Sequence, residues 1–189
     1  MKPSAPAVIE LQRTRLRKAT VGDAAAIYEY GSDPAVARYA DWPCRTSIEP
    51  LIESIKARAA TWGEGDVFSW VIATLDGDRS IGGVTCAIEG DAAEIGFLLN
   101  QSYWGRGYAG EAASGVIDWL FSLPNITRVW ATCDTENASS IRVLEKLGFR
   151  REKTLTQAIV RPQISPEPRD AFLYTRDQRD AQQVGAQNP

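Results

Sequence analysis

Three apolar segments in the middle of this sequence are separated by dipeptides that favour tight turns, and this arrangement constrains the fold more than any other feature. The segments span residues 67–74, 80–88 and 93–100, with Asp76-Gly77 and Gly90-Asp91 between them. Asp-Gly and Gly-Asp pairs are typical of two-residue hairpin loops, so the segments predict successive antiparallel strands. We therefore expect an antiparallel sheet at the centre of the fold.

The hydrophobic pattern changes after the third strand. Over residues 109–123, apolar side chains recur at i, i+3 and i+4, which predicts a helix. Residues 126–133 form a new β-rich segment, and the strand–helix–strand order makes it parallel to the strand that ends at Asn100. Residues 138–147 predict a further helix, which Gly148 ends. The chain thus predicts an α+β fold with a mixed, mostly antiparallel sheet.

Shorter signals extend this arrangement toward the N-terminus. Residues 12–18 alternate well enough for an edge strand. Thr20 and Asp23 have the spacing of a capping box, which starts a helix, and Thr46 and Glu49 repeat the pattern before a second amphipathic helix. The apolar face of that second helix must be buried, and we expect it to pack against the sheet.

The C-terminal part predicts a last hairpin and a tail. Residues 151–160 and 170–175 have strand character. The loop predicted between them is rich in proline and contains Pro162, Pro166 and Pro168. We expect one domain over residues 1–176 and a disordered tail over residues 177–189.

Length and composition fit this single domain. The chain has 189 residues, of which 44% are hydrophobic and 24% charged, the balance of an ordinary globular domain. No apolar run approaches the ~20 residues that a membrane span requires, and the N-terminus lacks the apolar core of a signal peptide. We expect a cytoplasmic protein with no membrane partner, either a monomer or a homodimer.

The chain contains no histidine, which excludes several kinds of chemistry. Ser-His-Asp and Cys-His nucleophiles, His-ligated zinc and an imidazole general base are all ruled out. Cys44, Cys86 and Cys133 have no CxxC spacing, so we expect reduced thiols and no structural metal. The net charge of −3 gives no overall attraction for nucleic acid.

A glycine-rich segment, Tyr103-Trp104-Gly105-Arg106-Gly107-Tyr108-Ala109-Gly110, lies between a predicted strand and a predicted helix. Glycines at such a place allow positive φ and close approach of a ligand to the backbone. The amides at a helix N-terminus, with the helix dipole, bind phosphate or diphosphate groups, and Arg106 would add a positive charge. The alternative is that the glycines only make a tight turn. The segment lacks the Gly-Lys-Ser/Thr of a Walker A loop and the third glycine of a Rossmann fingerprint.

Two longer motifs resemble a known family. The string EIGFLLNQSYWGRGYAGEA, from Glu94 to Ala112, and N-x-x-S-x-R-V-L-E-K-L-G-F, from Asn137 to Phe149, are similar to the GNAT acetyltransferases. The branch they resemble most contains the ribosomal-protein alanine N-acetyltransferases, also called RimJ/RimL-like. Thr14-Arg15-Leu16-Arg17 and residues 32–36 also resemble that branch, so the likeness covers residues 11–176.

The resemblance implies a GNAT fold, with helices on both faces of the sheet and the family's fourth and fifth strands splayed apart. Acetyl-CoA would lie in the gap between these two strands as co-substrate. The resemblance assigns donor binding to the backbone of Phe97, Leu98 and Leu99 for the pantetheine arm, to Trp104, Gly105, Arg106, Gly107, Tyr108, Ala109 and Gly110 for the phosphates, and to Asn137. Trp104 replaces the Gln or Arg usual in the family, so amide contacts should dominate there.

Acetyl transfer to an amine requires a neutral amine, and this requirement favours one class of acceptor. Deprotonating a lysine-like ammonium of pKa ~10.4 at pH 7 costs about 4 to 5 kcal/mol, whereas an α-amino group of pKa ~7.7 to 8 costs only about 1. Without histidine, the α-amine is the easier substrate. Glu94 is the candidate base because it shares a strand face with Gly96, Leu98 and Asn100. Otherwise it is an exposed strand glutamate or part of an ion pair.

The departing CoA thiolate needs a proton donor. By resemblance we assign Ser140 to this role; the alternative is an ordinary residue of the first helical turn. Many GNAT enzymes use a tyrosine one turn further along, where this chain has Leu144. Tyr103, Tyr108 and Tyr174 are candidate replacements. An acyl-cysteine at Cys133 is disfavoured, because nothing in the sequence lowers its pKa.

The acceptor remains open at this level. A protein N-terminus is the first expectation, and a small amine such as an antibiotic, a polyamine or an amino acid is the second. A non-catalytic acetyl-CoA-binding sensor is the third. Residues 38–47, with Tyr39 and Trp42, and residues 162–169 are expected to shape the acceptor groove.

Overall fold

An eight-stranded mixed sheet forms the centre of the computed structural model, which describes residues 4–63 and 65–179. Its strands are β1 Val8–Glu10, β2 Thr14–Arg17, β3 Val67–Thr74, β4 Ser80–Glu89, β5 Ala92–Leu99, β6 Arg128–Asp134, β7 Arg150–Arg161 and β8 Ser165–Asp177. Their order across the sheet is β1-β2-β3-β4-β5-β6-β8-β7. All neighbouring pairs are antiparallel except β5 and β6, which are parallel. The α+β class with a mixed, mostly antiparallel sheet is confirmed.

The helices are α1 Ala24–Gly31, α2 Pro34–Ala37, α3 Glu49–Ala60, α4 Tyr108–Ser122 and α5 Ala138–Lys146. Short 3-10 turns precede α1, at Val21–Asp23, and follow β5, at Gln101–Tyr103. Within residues 4–63 and 65–179, no helix has the length and apolarity that crossing a membrane requires.

The two faces of the sheet carry different helices. Apolar side chains of β3 to β6 that point to one face pack with α4 and α5 in the main core; among them are Phe68, Trp70, Val84, Cys86, Ile95, Val129 and Ala131. On the opposite face α1 packs against β4, and α3 packs on α1 in a smaller cluster of Ala24, Leu51 and Ile55. At β5 and β6 this second face is left open, and the site lies there.

The central hairpins match the sequence prediction closely because their turns are encoded locally. Gly77 and Gly90 have φ of +74° and +65°, a backbone conformation that L side chains rarely adopt. Antiparallel pairing joins β3 to β4 and β4 to β5, as expected.

The N-terminal predictions were partly wrong. β2 is not an edge strand, because the three-residue strand β1 pairs outside it, and so short a strand leaves little alternation to detect. The Thr20–Asp23 capping box is present. The Thr46–Glu49 box is absent: α3 begins after Ile48, which makes no side-chain cap hydrogen bond, and Pro50 in the first turn supplies the fixed φ instead.

The C-terminal hairpin is longer than predicted. Pro166 and Pro168 lie within β8 rather than in the loop, where the ladder with β7 is interrupted by register shifts between Leu155 and Arg161. Proline is tolerated at such interruptions because it has no amide to donate. β8 lies between β6 and β7, so that β7 is the edge strand.

The first residues of the predicted tail are attached to the domain. Asp177 ends β8, and the backbone and side-chain amides of Gln178 donate to the carbonyls of Thr127 and Phe121 at 2.9 and 2.8 Å. The remaining tail, residues 180–189, lies outside the described residues.

Candidate active site

The parallel strands β5 and β6 separate soon after they meet. They pair at Ala92–Arg128, Ala93–Val129 and Glu94–Trp130, and no further. Beyond this point β5 stays with β4 as far as Leu99, while β6 stays with β8 as far as Asp134. A wedge therefore opens between the strands, with Glu94 at its apex.

Backbone groups of β5 line this wedge. The amide of Asn100 donates to Ile81 O on β4 at 2.8 Å. Because bonding direction alternates along an antiparallel ladder, the backbone of Leu98 also faces β4, while that of Phe97 and Leu99 faces the wedge. The Leu99 carbonyl accepts the Trp104 indole N–H at 2.7 Å. Within residues 4–63 and 65–179, the ladder leaves the Phe97 groups and the Leu99 amide for a partner from outside the sheet.

The glycine turn ends the wedge at the start of α4. Gly105 and Gly107 have φ of +74° and +83°, and Gly107 is the N-cap residue without a side-chain cap. The first helical hydrogen bond runs from Glu111 N to Gly107 O. The amides of Tyr108, Ala109 and Gly110 therefore lie outside the ladder of the helix and are free to bind an anion.

One carboxylate of α4 anchors this turn to the N-terminal part of the chain. Glu111 accepts four hydrogen bonds, from the Arg13 amide and Nε and from the Thr14 amide and hydroxyl. Burial raises the pKa of Glu111, but these bonds outweigh it and the pKa is lowered, so the group stays ionised. The sequence analysis missed Arg13, because no short-range pattern links residues 98 positions apart.

The wedge and the open sheet face form one cavity of about 1450 Å³. Its wall includes most of the predicted site: Glu94, Phe97, Leu98, Leu99, Trp104, Gly105, Gly107, Tyr108, Ala109, Gly110, Asn137 and Ser140. Arg106 is not among the described lining residues, and its guanidinium lies 5.9 Å from the Tyr103 ring.

Glu94 is half-buried at the apex and points to the open face. Burial raises its pKa above that of an ordinary glutamate, and the negative charges of Glu89 and Asp41 raise it further, against a hydrogen bond from the Thr132 side chain. A carboxylate with a raised pKa is a stronger proton acceptor.

The far wall of the wedge is the end of β6 and the start of α5. Asn137 caps α5, with its side-chain oxygen accepting the Ser140 amide at 3.1 Å. Cys133, at the end of β6 near Ser140, is 2% exposed and donates to the Asp134 carbonyl at 3.4 Å. Burial raises the pKa of Cys133, which confirms a buried thiol rather than a reactive thiolate.

Of the tyrosines considered as proton donors, two line the cavity and one does not. Leu144, at the position where the resemblance implied that a tyrosine could have served as acid, is 1% exposed in the core. Tyr103 and Tyr108 line the cavity near the glycine turn and contact each other edge to face. Tyr174 packs on Phe172, and its hydroxyl donates to Glu145 at 3.3 Å, so it is not part of the described wall.

Of the two segments expected to shape the acceptor groove, only the first lines the cavity among the described residues. Residues 38–42 line the cavity, and the Tyr39 hydroxyl donates to Glu136 O at 3.2 Å, which links this segment to the far wall. None of residues 162–169 is among the described lining residues. Arg169 instead pairs with Asp134 and Glu136, both at 2.8 Å.

Comparisons with known proteins agree with this geometry. The family model described as an acetyltransferase (GNAT) domain matches residues 13–150. The uncharacterized N-acetyltransferase YoaA of Bacillus subtilis (strain 168) is 34% identical over 171 residues, covering 89% of this chain and 95% of YoaA.

Two solved structures share the fold at lower identity. RimJ of Mycobacterium smegmatis, in complex with CoA-disulfide, has a TM-score of 0.80 at 22% identity and covers 95% of this chain and 93% of its own. RimL, a ribosomal L7/L12 alpha-N-protein acetyltransferase in complex with coenzyme A, has a TM-score of 0.79 at 22% identity. The match covers 90% of this chain and 97% of the RimL chain.

These matches agree with the wedge between parallel strands and with the glycine turn at a helix N-terminus. Together they define the class of the protein, which is an acyltransferase. The chain belongs to the GNAT acetyltransferase family and is an N-acetyltransferase. Acetyltransferases of this family use acetyl-CoA as the acetyl donor.

Proposed function

We propose that this enzyme transfers the acetyl group of acetyl-CoA directly to a primary amine within a ternary complex, and that the acceptor is the α-amine of a protein N-terminus. The observation that carries the proposal is the separation of β5 from β6 immediately after Glu94. This separation places unpaired backbone groups, an anion-binding turn and a carboxylate around one cavity.

The donor is held mainly by backbone groups. The pantetheine arm pairs with the backbone of residues 97–99 as an added strand, chiefly with Phe97 and Leu99. The diphosphate lies on residues 104–110, where the three free amides of α4 and the helix dipole attract negative charge. Asn137 contributes from the far wall, in addition to capping α5. A backbone amide facing the wedge stabilises the negative charge that develops on the thioester oxygen.

Glu94 accepts the proton of the acceptor amine, directly or through water. Its raised pKa brings it closer to that of an α-ammonium group, which makes the transfer easier than with an ordinary glutamate. Lysine-like amines remain roughly a few hundred times harder to deprotonate, so the same base favours an N-terminal α-amine.

Ser140 passes its hydroxyl proton to the departing thiolate and takes up a proton from water in the open cavity. Its side chain lies on the cavity wall, opposite the strand that carries Glu94, so base and acid face the acetyl group from different sides. Leu144 is buried and has no proton to donate, so the acid cannot come from that position.

The acceptor groove is the open face of β5 and β6, next to residues 38–42. An open groove suits a flexible peptide, and RimL, which shares the fold, acts on a ribosomal-protein α-amine. A small cationic amine is the second candidate, because Asp41 and Glu89 place negative charge near Glu94 and would attract it.

An acceptor screen tests the proposal. The purified enzyme is incubated with acetyl-CoA and a peptide with a free N-terminus, the same peptide with a blocked N-terminus and an internal lysine, or a polyamine. CoA release is followed, and mass spectrometry locates the acetyl group. Acetylation of the free α-amine alone is expected. Acetylation of the polyamine alone would select the second candidate, and CoA binding without turnover on any amine would contradict the proposed reaction.

A further inference from the structure

Arg13 reaches across the glycine turn from the loop between β1 and β2. Its Nε donates to Glu111 Oε2 at 2.6 Å, and its Nη1 donates to the carbonyl of Arg106 at 2.8 Å. The backbone amide of Arg13 also donates to Glu111, at 2.8 Å. One side chain thus joins the turn to the first helical turn of α4, which restricts how the free amides can point.

The third nitrogen of this guanidinium lies beside the N-cap of α4. A Cβ atom built on Gly107 would be 3.3 Å from Arg13 Nη2, and the guanidinium carbon lies 4.8 Å from the centre of the Tyr108 ring. Among the described residues, no acceptor bonds to Nη2. Arg13 also lines the cavity, whereas Arg106 is not among the described lining residues.

The charges around the turn favour an anion at this nitrogen. The Glu111 carboxylate is already engaged by four donors, and its orientation is fixed by them. The remaining positive charge of Arg13 and the N-terminal end of the α4 dipole act on the same space. A chain with a net charge of −3 supplies little long-range attraction, so an anionic donor depends on local cations.

We infer that Arg13 is a donor-binding residue, which holds the glycine turn with two nitrogens and offers the third to the diphosphate of acetyl-CoA. This inference rests on the proposed function, in which the diphosphate lies on residues 104–110. It assigns to Arg13 the cationic contact that the sequence suggested for Arg106.

The test compares two ligands and four proteins. CoA contains the diphosphate, and pantetheine contains the arm without it. The proteins are wild type, Arg13→Ala, Arg13→Gln and Arg15→Ala. Arg15 is a matched control, because it is a partly exposed arginine two positions along that pairs with Glu10 at 2.8 Å. Arg13→Gln keeps amide donors near Glu111 but removes the charge, so it serves where the alanine variant does not fold.

We expect the Arg13 variants to lose affinity for CoA but not for pantetheine. Removing a charge-assisted contact to phosphate should weaken CoA binding about 10- to 100-fold in both Arg13 variants, measured by calorimetry. Pantetheine affinity, measured by NMR titration, should be the same in all four proteins, and Arg15→Ala should bind CoA like the wild type.

Other results separate the two proposals. Equal CoA affinity in wild type and Arg13→Gln would overturn the role of Arg13. Equal losses for CoA and pantetheine would also overturn it, because they would show general damage to the fold. Absence of CoA binding in the wild type would instead overturn the proposed function.

Discussion

Replacing Gly107 by alanine should damage donor binding more than folding. Gly107 has φ of +83°, and an L residue in the left-handed region costs about 1–2 kcal/mol. For a chain of this size, that lowers Tm by about 2–8 °C. The new Cβ would also lie 3.3 Å from Arg13 Nη2, so the guanidinium or the turn must shift.

Gly90→Ala is the matched control for this variant. Gly90 has φ of +65°, and a Cβ there would meet nothing within 4 Å. Its backbone cost should be similar, but it lies in the hairpin between β4 and β5, away from the glycine turn. The two variants should therefore lose similar stability, as measured by thermal unfolding.

Calorimetric titration with CoA then separates the two glycines. Gly107→Ala should weaken CoA binding by about tenfold or more, because the amides of α4 no longer present one anion site, while Gly90→Ala should bind CoA like the wild type. Equal affinities in the two variants would refute the assignment of the turn to the diphosphate.

Four further variants test other parts of the cavity wall and its surroundings. Glu94→Gln should lower kcat and abolish the rise of activity with pH that deprotonation of Glu94 causes. Glu89→Gln should lower kcat far less and move that rise to lower pH, because it removes a charge that raises the pKa of Glu94. An unchanged pH profile in Glu94→Gln would exclude Glu94 as base. Ser140→Ala should lower kcat with little change in KM for acetyl-CoA, and steady-state kinetics that show no change would exclude it as acid. Asp134→Asn should cost about 1–3 kcal/mol at neutral pH by weakening the pair with Arg169. Burial raises the pKa of Asp134, but hydrogen bonds from Arg169 and the Glu136 amide outweigh burial, so the pKa is lower in the folded protein than in the unfolded chain. The stability that the pair contributes is therefore present above the pKa of the unfolded chain, and it is lost as pH falls through the pKa of the folded protein. The gap in unfolding free energy between wild type and variant should therefore close in acid, and a gap that persists there would contradict the pairing.

The parts of the fold that the sequence predicted are those encoded over a few residues. The turns at Gly77 and Gly90 need positive φ, and the helix over α4 follows a regular apolar spacing. The insertion of β8 between β6 and β7 was not predicted, because alternation shows which face a residue takes but not which strand lies beside it. The same limit hid β1, whose three residues carry too little pattern.

In the candidate site, too, the features encoded locally were predicted and the long-range contacts were not. The shared strand face of Glu94 and the amides of the glycine turn follow from local sequence, and the wedge itself was expected only through the family resemblance. The anchor from Arg13 to Glu111 and the effect of Asp41 on Glu94 join distant segments that only the folded chain brings together. Such pairs depend on tertiary packing, for which one sequence offers no period to detect.

Hydrogen exchange on adding CoA tests the central claim most directly. Mass spectrometry of deuterium uptake compares the enzyme alone with the enzyme saturated with CoA. Exchange should slow in peptides that contain Phe97 and Leu99 and in those that contain Tyr108 to Gly110, while the hairpin at Gly90 stays unchanged. Saturation with CoA that leaves exchange in both of these segments unaltered would contradict a donor held between β5 and β6.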